Sequence, residues 1–199
     1  MPGGGRLFLA VDPPPGAVAD LARALAPLRD APGAPRWTPP DRWHVTLQFL
    51  GQVPADVAAR LPDVVAPAVA AAPPMSLQVA GAGTFGSRRR PAVCWAGLAG
   101  DVVPLTALAD RLGAAVATLG IPVEDRPFRA HLTLGRWRPG FPADATLTDR
   151  LAGHRGAVWP VTEVVLWRSN LGPIPTYERL AAWPVPAAPS GGSPRARER

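Results

Sequence analysis

The 199-residue chain predicts an α+β fold, bilobal, with two pseudo-symmetric lobes, each an antiparallel sheet with flanking helices, around a central cleft. Three observations carry this reading. A four-residue phrase occurs twice, as His44-Val45-Thr46-Leu47 and His131-Leu132-Thr133-Leu134. The order of elements around each copy is the same: strand, helix, phrase-bearing strand, helix, strand. The spacing repeats too, since Phe8 precedes His44 by 36 positions (44 − 8) and Trp95 precedes His131 by 36 (131 − 95). Leu77 then follows His44 by 33 and Val164 follows His131 by 33. The expected layout is a single domain over 1–185, with pseudo-repeats at 6–85 and 92–183, followed by a disordered tail over 186–199.

Each element has a local cause. Arg6 to Val11 is apolar and predicts a strand, ended by Pro13-Pro14-Pro15, which also suits a first helical turn. Val18, Leu21, Leu25 and Leu28 recur at three and four, as an amphipathic helix requires. Asp30 to Pro40, rich in proline, reads as a loop. Trp43 to Leu50 is the first phrase-bearing strand, closed by Gly51. Pro54 to Val69 has helical spacing, against which Pro62 and Pro67 count. Met75 to Ala80 alternates and predicts a strand. Gly81 to Pro91 reads as a loop carrying Arg88-Arg89-Arg90, and Ala92 to Leu98 as a strand. Val103 to Leu119 is the strongest helix, with Leu105, Leu108, Leu112, Val116 and Leu119 in one stripe and Gly120 as its stop. Phe128 to Leu134 is the second phrase-bearing strand. Ala143 to Leu151 predicts a short helix, and Val158 to Trp167 and Tyr177 to Trp183 predict strands. Beyond these, Pro, Ala, Ser, Gly and Arg dominate, as in a disordered tail.

Composition excludes several classes. Hydrophobic content is 47% and charged content 18%, so a globular core is expected. No run approaches the ~18 apolar residues of a membrane span. The first apolar run is too short for a signal-peptide core, and Cys94 is the only cysteine, so a cytoplasmic protein is expected. Net charge is +6, and all 21 basic residues are arginine. Guanidinium matches phosphate with paired donors. The abundance of Ala, Pro, Gly and Arg together offers compositional bias as the plainer cause of the missing lysine. The positive charge still favours an anionic partner such as RNA.

The repeated phrase carries the chemistry. On a strand, His44 and Thr46 share one face while Val45 and Leu47 take the other, and likewise for the second copy. The chain has three histidines, and two occupy the same place in the same phrase. A lone strand histidine is usually structural; the pair, inside parallel element orders, points to function. With an unperturbed pKa of about 6.5, one imidazole can take a proton from a nucleophile while the other gives one to a leaving group. A hydroxyl two residues on, roughly 6.5 Å along the strand, can donate to an oxyanion between them. A phosphodiester fits this arrangement. No metal or cofactor is called for, and neither copy has a third ligand-type residue at matching spacing. His154, near Gly153 and Gly156, reads as an exposed loop residue.

The sequence resembles the two-histidine (2H) phosphoesterases, and more narrowly the RNA 2′,3′-cyclic phosphodiesterase (2′-5′ RNA ligase-like) family. The resemblance spans Arg6 to about Trp183. It rests on Arg6-Leu7-Phe8-Leu9-Ala10-Val11, on Trp43 to Gly51, and on Pro127 to Arg136. It implies a bilobal fold with its site in the central cleft, and hydrolysis of a terminal 2′,3′-cyclic phosphate on RNA, tRNA fragments included, to a 2′-phosphomonoester. It implies that His44 protonates the departing 3′ oxygen, that His131 activates water, and that Thr46 and Thr133 hold the phosphate. The symmetry of the phrases does not say which histidine does which. Some family members also join RNA through a 2′-5′ bond.

Weaker candidates flank these. Arg129 lies two residues before His131, and Arg42 two before His44, so each is a candidate phosphate contact; the plainer reading is a rim arginine. Phe49 and Trp167 could stack on a base, though aromatic residues in apolar strands are more often core. Arg88-Arg89-Arg90 could follow an RNA backbone or be a solvated loop. Tyr177 has no assigned role. Two other functions compete: a phosphodiesterase for a small cyclic nucleotide or an ADP-ribose cyclic phosphate, and a non-catalytic RNA-binding module. Nothing in the sequence forces a dimer, so a monomer is expected.

Overall fold

The computed structural model describes residues 4–87, 89–124, 126–170 and 176–188. Its strands are β1 (Gly5–Val11), β2 (Arg36–Trp37), β3 (Val45–Val53), β4 (Ser76–Ser87), β5 (Arg90–Gly100), β6 (His131–Arg136), β7 (Arg155–Pro160), β8 (Glu163–Asn170) and β9 (Thr176–Pro184). Its α-helices are α1 (Pro15–Leu25), α2 (Ala55–Ala58), α3 (Leu61–Ala70) and α4 (Val102–Ala117). One antiparallel sheet runs β7-β4-β5-β6-β3-β1-β8-β9, with β2 added to β6. The phrase-bearing strands β3 and β6 are therefore neighbours at its centre, joined at Val45 and Leu132. The outer strands are exchanged. β4, from the first half of the chain, pairs with β5 of the second, and β8, from the second half, pairs with β1 of the first.

Alternation sorts the two faces. Leu7, Leu9 and Val11 of β1, Val45 and Leu47 of β3, and Leu132 and Leu134 of β6 join one continuous core. The helices cover that face: α4 packs on β3, and α3 lies between α4 and β9. Leu105, Leu108, Leu112 and Val116 form the buried stripe of α4, and Gly120 follows it at φ +78°, a left-handed stop suited to glycine. The opposite face, carrying Thr46 and Thr133, is left for the cleft.

Several sequence expectations are corrected. Pro54 to Val69 is two helices, broken at Ala59-Arg60; Pro62 begins the second in its first turn, while Pro67 is tolerated inside it. Gly81 to Pro91 is not a loop, because β4 continues to Ser87 and β5 starts at Arg90. The glycines there serve close approach: a Cβ on Gly83 would lie 2.4 Å from the Trp95 ring. Gly51, at φ +66°, does not close β3, which runs on to Val53. The residues from Val158 to Trp167 belong to two strands at distant places in the sheet, β7 and β8. The segment Ala143 to Leu151 holds a 3-10 helix, Ala145–Leu151, capped by the Asp144 carboxylate. The loop of 30–40 contributes the short β2. His154 is not exposed: its side chain is 13% accessible and its Nε2 lies 3.4 Å from Asp20 of α1. Both phrase-bearing strands start later than expected, β3 at Val45 and β6 at His131, so each histidine stands at a strand entrance. Residues 189–199 of the expected tail, and Arg88 of the arginine run, lie outside the described residues.

Candidate active site

Antiparallel pairing of Val45 with Leu132 fixes the neighbours on either side. Carried one step each way, the register sets Thr46 opposite His131 and His44 opposite Thr133. Each histidine thus faces the threonine of the other phrase across the β3–β6 seam.

The two imidazoles are held by the same device. His44 Nδ1 lies 2.8 Å from the Arg42 carbonyl, and His131 Nδ1 lies 2.6 Å from the Arg129 carbonyl. A carbonyl only accepts, so each Nδ1 carries the proton and donates it. That leaves each Nε2 with a free lone pair. The residue two before each histidine therefore acts through its main chain, whatever its side chain. Their side chains differ: Arg129 is exposed and lines the cleft, its guanidinium 5.8 Å from the Phe85 ring centre, whereas Arg42 does not line it.

Aromatic rings brace both histidines. Phe8 stacks on His44 at 4.7 Å, and Tyr177 meets His44 edge-on at 5.4 Å. Phe85 meets His131 edge-on at 4.8 Å. Burial lowers the proton affinity of both. His44 is pushed down to about 4, by burial first and by the His131 charge, against the opposing bond to Arg42. His131 is lowered by burial, then by the nearby Arg136 and Arg129 cations, again against its carbonyl bond. In the free protein both imidazoles are therefore neutral near pH 7.

Cavities open on both sides of this pair. One of ≈ 630 Å³ lies beside His44 and is lined by Phe8, Phe49 and Tyr177. The other, ≈ 970 Å³, lies beside His131, Thr46 and Thr133 and reaches the face of α4. Phe49, Glu124 and Arg136 line both, so the two are continuous at the seam.

Phe49 and Arg136 reach the cleft through paired irregularities. Leu47 is an extra residue in β3 against β1, and Leu134 an extra residue in β6 against β5. Each is the fourth residue of its phrase. A bulge reverses the phase of the side chains beyond it. Strict alternation would bring Gln48 and Gly135 to the cleft. Gln48 turns toward α4, where its Nε2 donates to Ala109 at 2.8 Å and it lines the cavity's helix side, and Phe49 is left 53% exposed, lining both cavities. Of the two aromatic residues expected as base-stacking candidates, Phe49 lines both cavities and Trp167 lines neither.

Sequence reasoning singled out His44, Thr46, His131, Thr133 and Arg129, and all five meet at this seam. It missed Arg136, Phe85, Phe8 and Tyr177 as site residues. Arg136 was hidden by the bulge, and Phe85 by its place in a glycine-rich stretch. The position of Phe8 in the repeat was a signal, since it shares its offset with Trp95.

Comparison with known proteins agrees with this geometry. Residues 10–173 match the family described as the 2′-5′ RNA ligase superfamily. A Geobacillus stearothermophilus protein named RNA 2′,3′-cyclic phosphodiesterase is 36% identical over 156 residues, covering 78% of this chain and 49% of that protein. The chain thus spans about half the length of that relative. An Aeropyrum pernix protein of the same name is 31% identical, covering 84% of this chain and 97% of the relative. The crystal structure of E. coli LigT complexed with 3′-AMP is similar at a TM-score of 0.75 and 27% identity, covering 92% of this chain and 98% of that one.

Proposed function

The chain belongs to the 2′-5′ RNA ligase superfamily, and on that premise we propose that it hydrolyses 2′,3′-cyclic phosphate ends of RNA to 2′-phosphomonoesters, acting as a monomer and without a metal. The observation that carries this reading is the pair of imidazoles at one seam, each with Nδ1 tied to a carbonyl and Nε2 free.

In this mechanism the phosphorus sits between the histidines. Thr46 and Thr133 donate to its non-bridging oxygens, and Arg136 balances their charge. His131 Nε2 takes a proton from water as the water oxygen attacks phosphorus. The bond from phosphorus to O3′ breaks, and His44 Nε2–H protonates that oxygen. The electrostatics support this division of roles. Burial first, and then Arg136 and Arg129, oppose a proton on His131, which keeps it a base. Chiefly burial opposes a proton on His44, and a bound phosphate anion offsets that cost. The Phe8 face stacked on the His44 ring also favours its cationic form. The same geometry run with an RNA 5′-hydroxyl in place of water gives 2′-5′ ligation, the reaction in the family name.

The test is hydrolysis of a short RNA ending in a 2′,3′-cyclic phosphate, in excess EDTA, with the product isomer identified. A 2′-phosphate is expected. His44→Ala and His131→Ala should each cost about 10²–10⁴ in kcat, the usual range for a general acid or base. A 3′-phosphate product would reverse the ester bond served by His44. Loss of activity in EDTA, restored by added metal, would overturn the metal-free mechanism. Cleavage of small cyclic nucleotides but not RNA would move the substrate class to those.

A further inference from the structure

Arg136 has a neighbour that the cleft does not use. β2 pairs with β6 so that Arg36 stands directly opposite Arg136. Directly opposed residues of an antiparallel pair share a face and lie about 5 Å apart. Arg136 lines the cleft, as do Val93, its partner on β5, and Phe85, the partner of Val93 on β4. Arg36 extends the same row, yet it lines neither cavity and is exposed. Like charges so placed destabilise a sheet, and a bound anion removes that cost.

More cations gather at this end of the sheet. Trp137 N donates to the Ala92 carbonyl at 3.0 Å, so the β5–β6 register carries on past Arg136 and sets Arg138 beside Pro91, with Arg90 next along. Arg90 and Arg138 are exposed. Among the described residues, neither they nor Arg36 and Arg136 form an ion pair. The loop that follows β6 is tied at both ends to one carbonyl: Gly33 O accepts from Trp137 Nε1 at 2.8 Å and from Asp144 N at 2.9 Å. The loop so pinned presents Phe141, 65% exposed, with the Arg138 guanidinium 6.0 Å from its ring centre. An exposed ring among unpaired guanidiniums gives a base a face to stack on and the adjoining phosphates their cations.

We propose that Arg36, Arg90, Arg138 and Phe141 form a second RNA-binding surface outside the cleft, which holds the strand on the 5′ side of the cyclic phosphate end, with its phosphates on the arginines and one base on Phe141. The inference rests on the cyclic phosphodiesterase reading above. It makes the preferred substrate an RNA of several nucleotides. The placement fits that strand. His44 stands opposite Thr133 and Arg36 opposite Arg136, on the same flank of β6 and roughly 10 Å apart along it. The ribose that bears the cyclic phosphate owns the O3′ that His44 protonates, so the strand leading to it leaves the cleft on this flank. Arg136 joins the two places, reaching into the cleft while Arg36 beside it takes a phosphate further up the strand.

The residues to be changed are exposed and line neither cavity, so their substitution leaves the fold and the chemistry intact. The experiment measures kcat and KM for wild type, the double variant Arg36→Gln with Arg138→Gln, and Phe141→Ala. The substrates are two single-stranded RNAs with a 2′,3′-cyclic phosphate end, a dinucleotide and an oligomer of roughly ten nucleotides. Wild type should favour the oligomer by at least about tenfold in kcat/KM, through KM. Each variant should lose about fivefold or more of that preference, while kcat and dinucleotide turnover stay within about twofold. In the double variant, the slope of log kcat/KM for the oligomer against log salt should flatten by about 1.4, for two phosphate contacts at about 0.7 each. Equal kcat/KM for both RNAs in wild type, or a preference and salt slope unchanged in the variants, overturns the second surface alone. So does a loss that falls equally on the dinucleotide. No hydrolysis of either RNA by folded wild type overturns the underlying reading with it.

Discussion

The proton on His44 must arrive with the substrate. With a proton affinity near 4, His44 is charged in about one free molecule in 10³ at pH 7 (7 − 4 = 3). A general acid at neutral pH needs that value raised by about three units, or ~4 kcal/mol. One phosphate charge about 4 Å away, at an effective dielectric of about 20, supplies ~4 kcal/mol. The two magnitudes match, so a bound diester anion suffices. Linkage makes the effect reciprocal: whatever raises the proton affinity must bind more tightly at lower pH. The perturbation is therefore pH, with dimethyl phosphate as a probe that stays a monoanion throughout. Its affinity should rise roughly fifty-fold from pH 7 to pH 5 if binding moves His44 from about 4 to about 7. The assay is imidazole nitrogen NMR, which three histidines make tractable. Free His44 should stay neutral down to pH 5, with its proton on Nδ1, and should titrate near neutrality in the complex. Titration of free His44 near 6.5, or an affinity flat with pH, would refute the reasoning.

Three further outcomes are expected. Thr46→Val and Thr133→Val should each lower kcat/KM by about 10², the scale for a lost donor to a developing oxyanion; steady-state rates changing under threefold in both would remove them from the site. Burial raises the Asp12 carboxyl to about 6, so the folded state holds its proton more tightly than the unfolded one, and its contribution to stability falls as pH rises from about 4 through 6. Asp12→Asn should accordingly stabilise the protein at pH 7.5 by about 1–2 kcal/mol in urea unfolding, discounted for partial exposure, with the gain fading below pH 6. Gly83→Ala places a Cβ 2.4 Å from the Trp95 ring and should cost about 1–3 kcal/mol in the same assay, whereas no change would mean that the ring yields freely.

The paired phrases made the centre of the site legible. Alternation holds from His44 to Thr46 and from His131 to Thr133, so the sequence placed both histidines and both threonines correctly on one face. It fails one residue later, at Leu47 and Leu134. A bulge is a property of two strands in register, and one strand's residues do not announce it. That is why Arg136 went unseen. Phe85 and Tyr177 were lost for a related reason, since they come from strands far from the phrases in the chain and meet the histidines only through the sheet. Glycines were misread where they serve packing under Trp95 rather than a turn. The long helix α4, set by one strong stripe, was placed to within two residues at each end.

The exchange of outer strands bears on how this molecule comes apart. Of the strands that flank β1, one is β8, made some 150 residues later; β5 needs β4 from the opposite half. Neither half of the polypeptide can pair its own edges, so neither is a self-sufficient unit. A chain severed between β4 and β5 should stay associated as a two-fragment complex, and either fragment made alone should fail to fold and recover only on mixing. Synthesis adds the same constraint: the seam that carries both histidines cannot form until β6 is made, and the sheet is not closed over it until β8 has found β1.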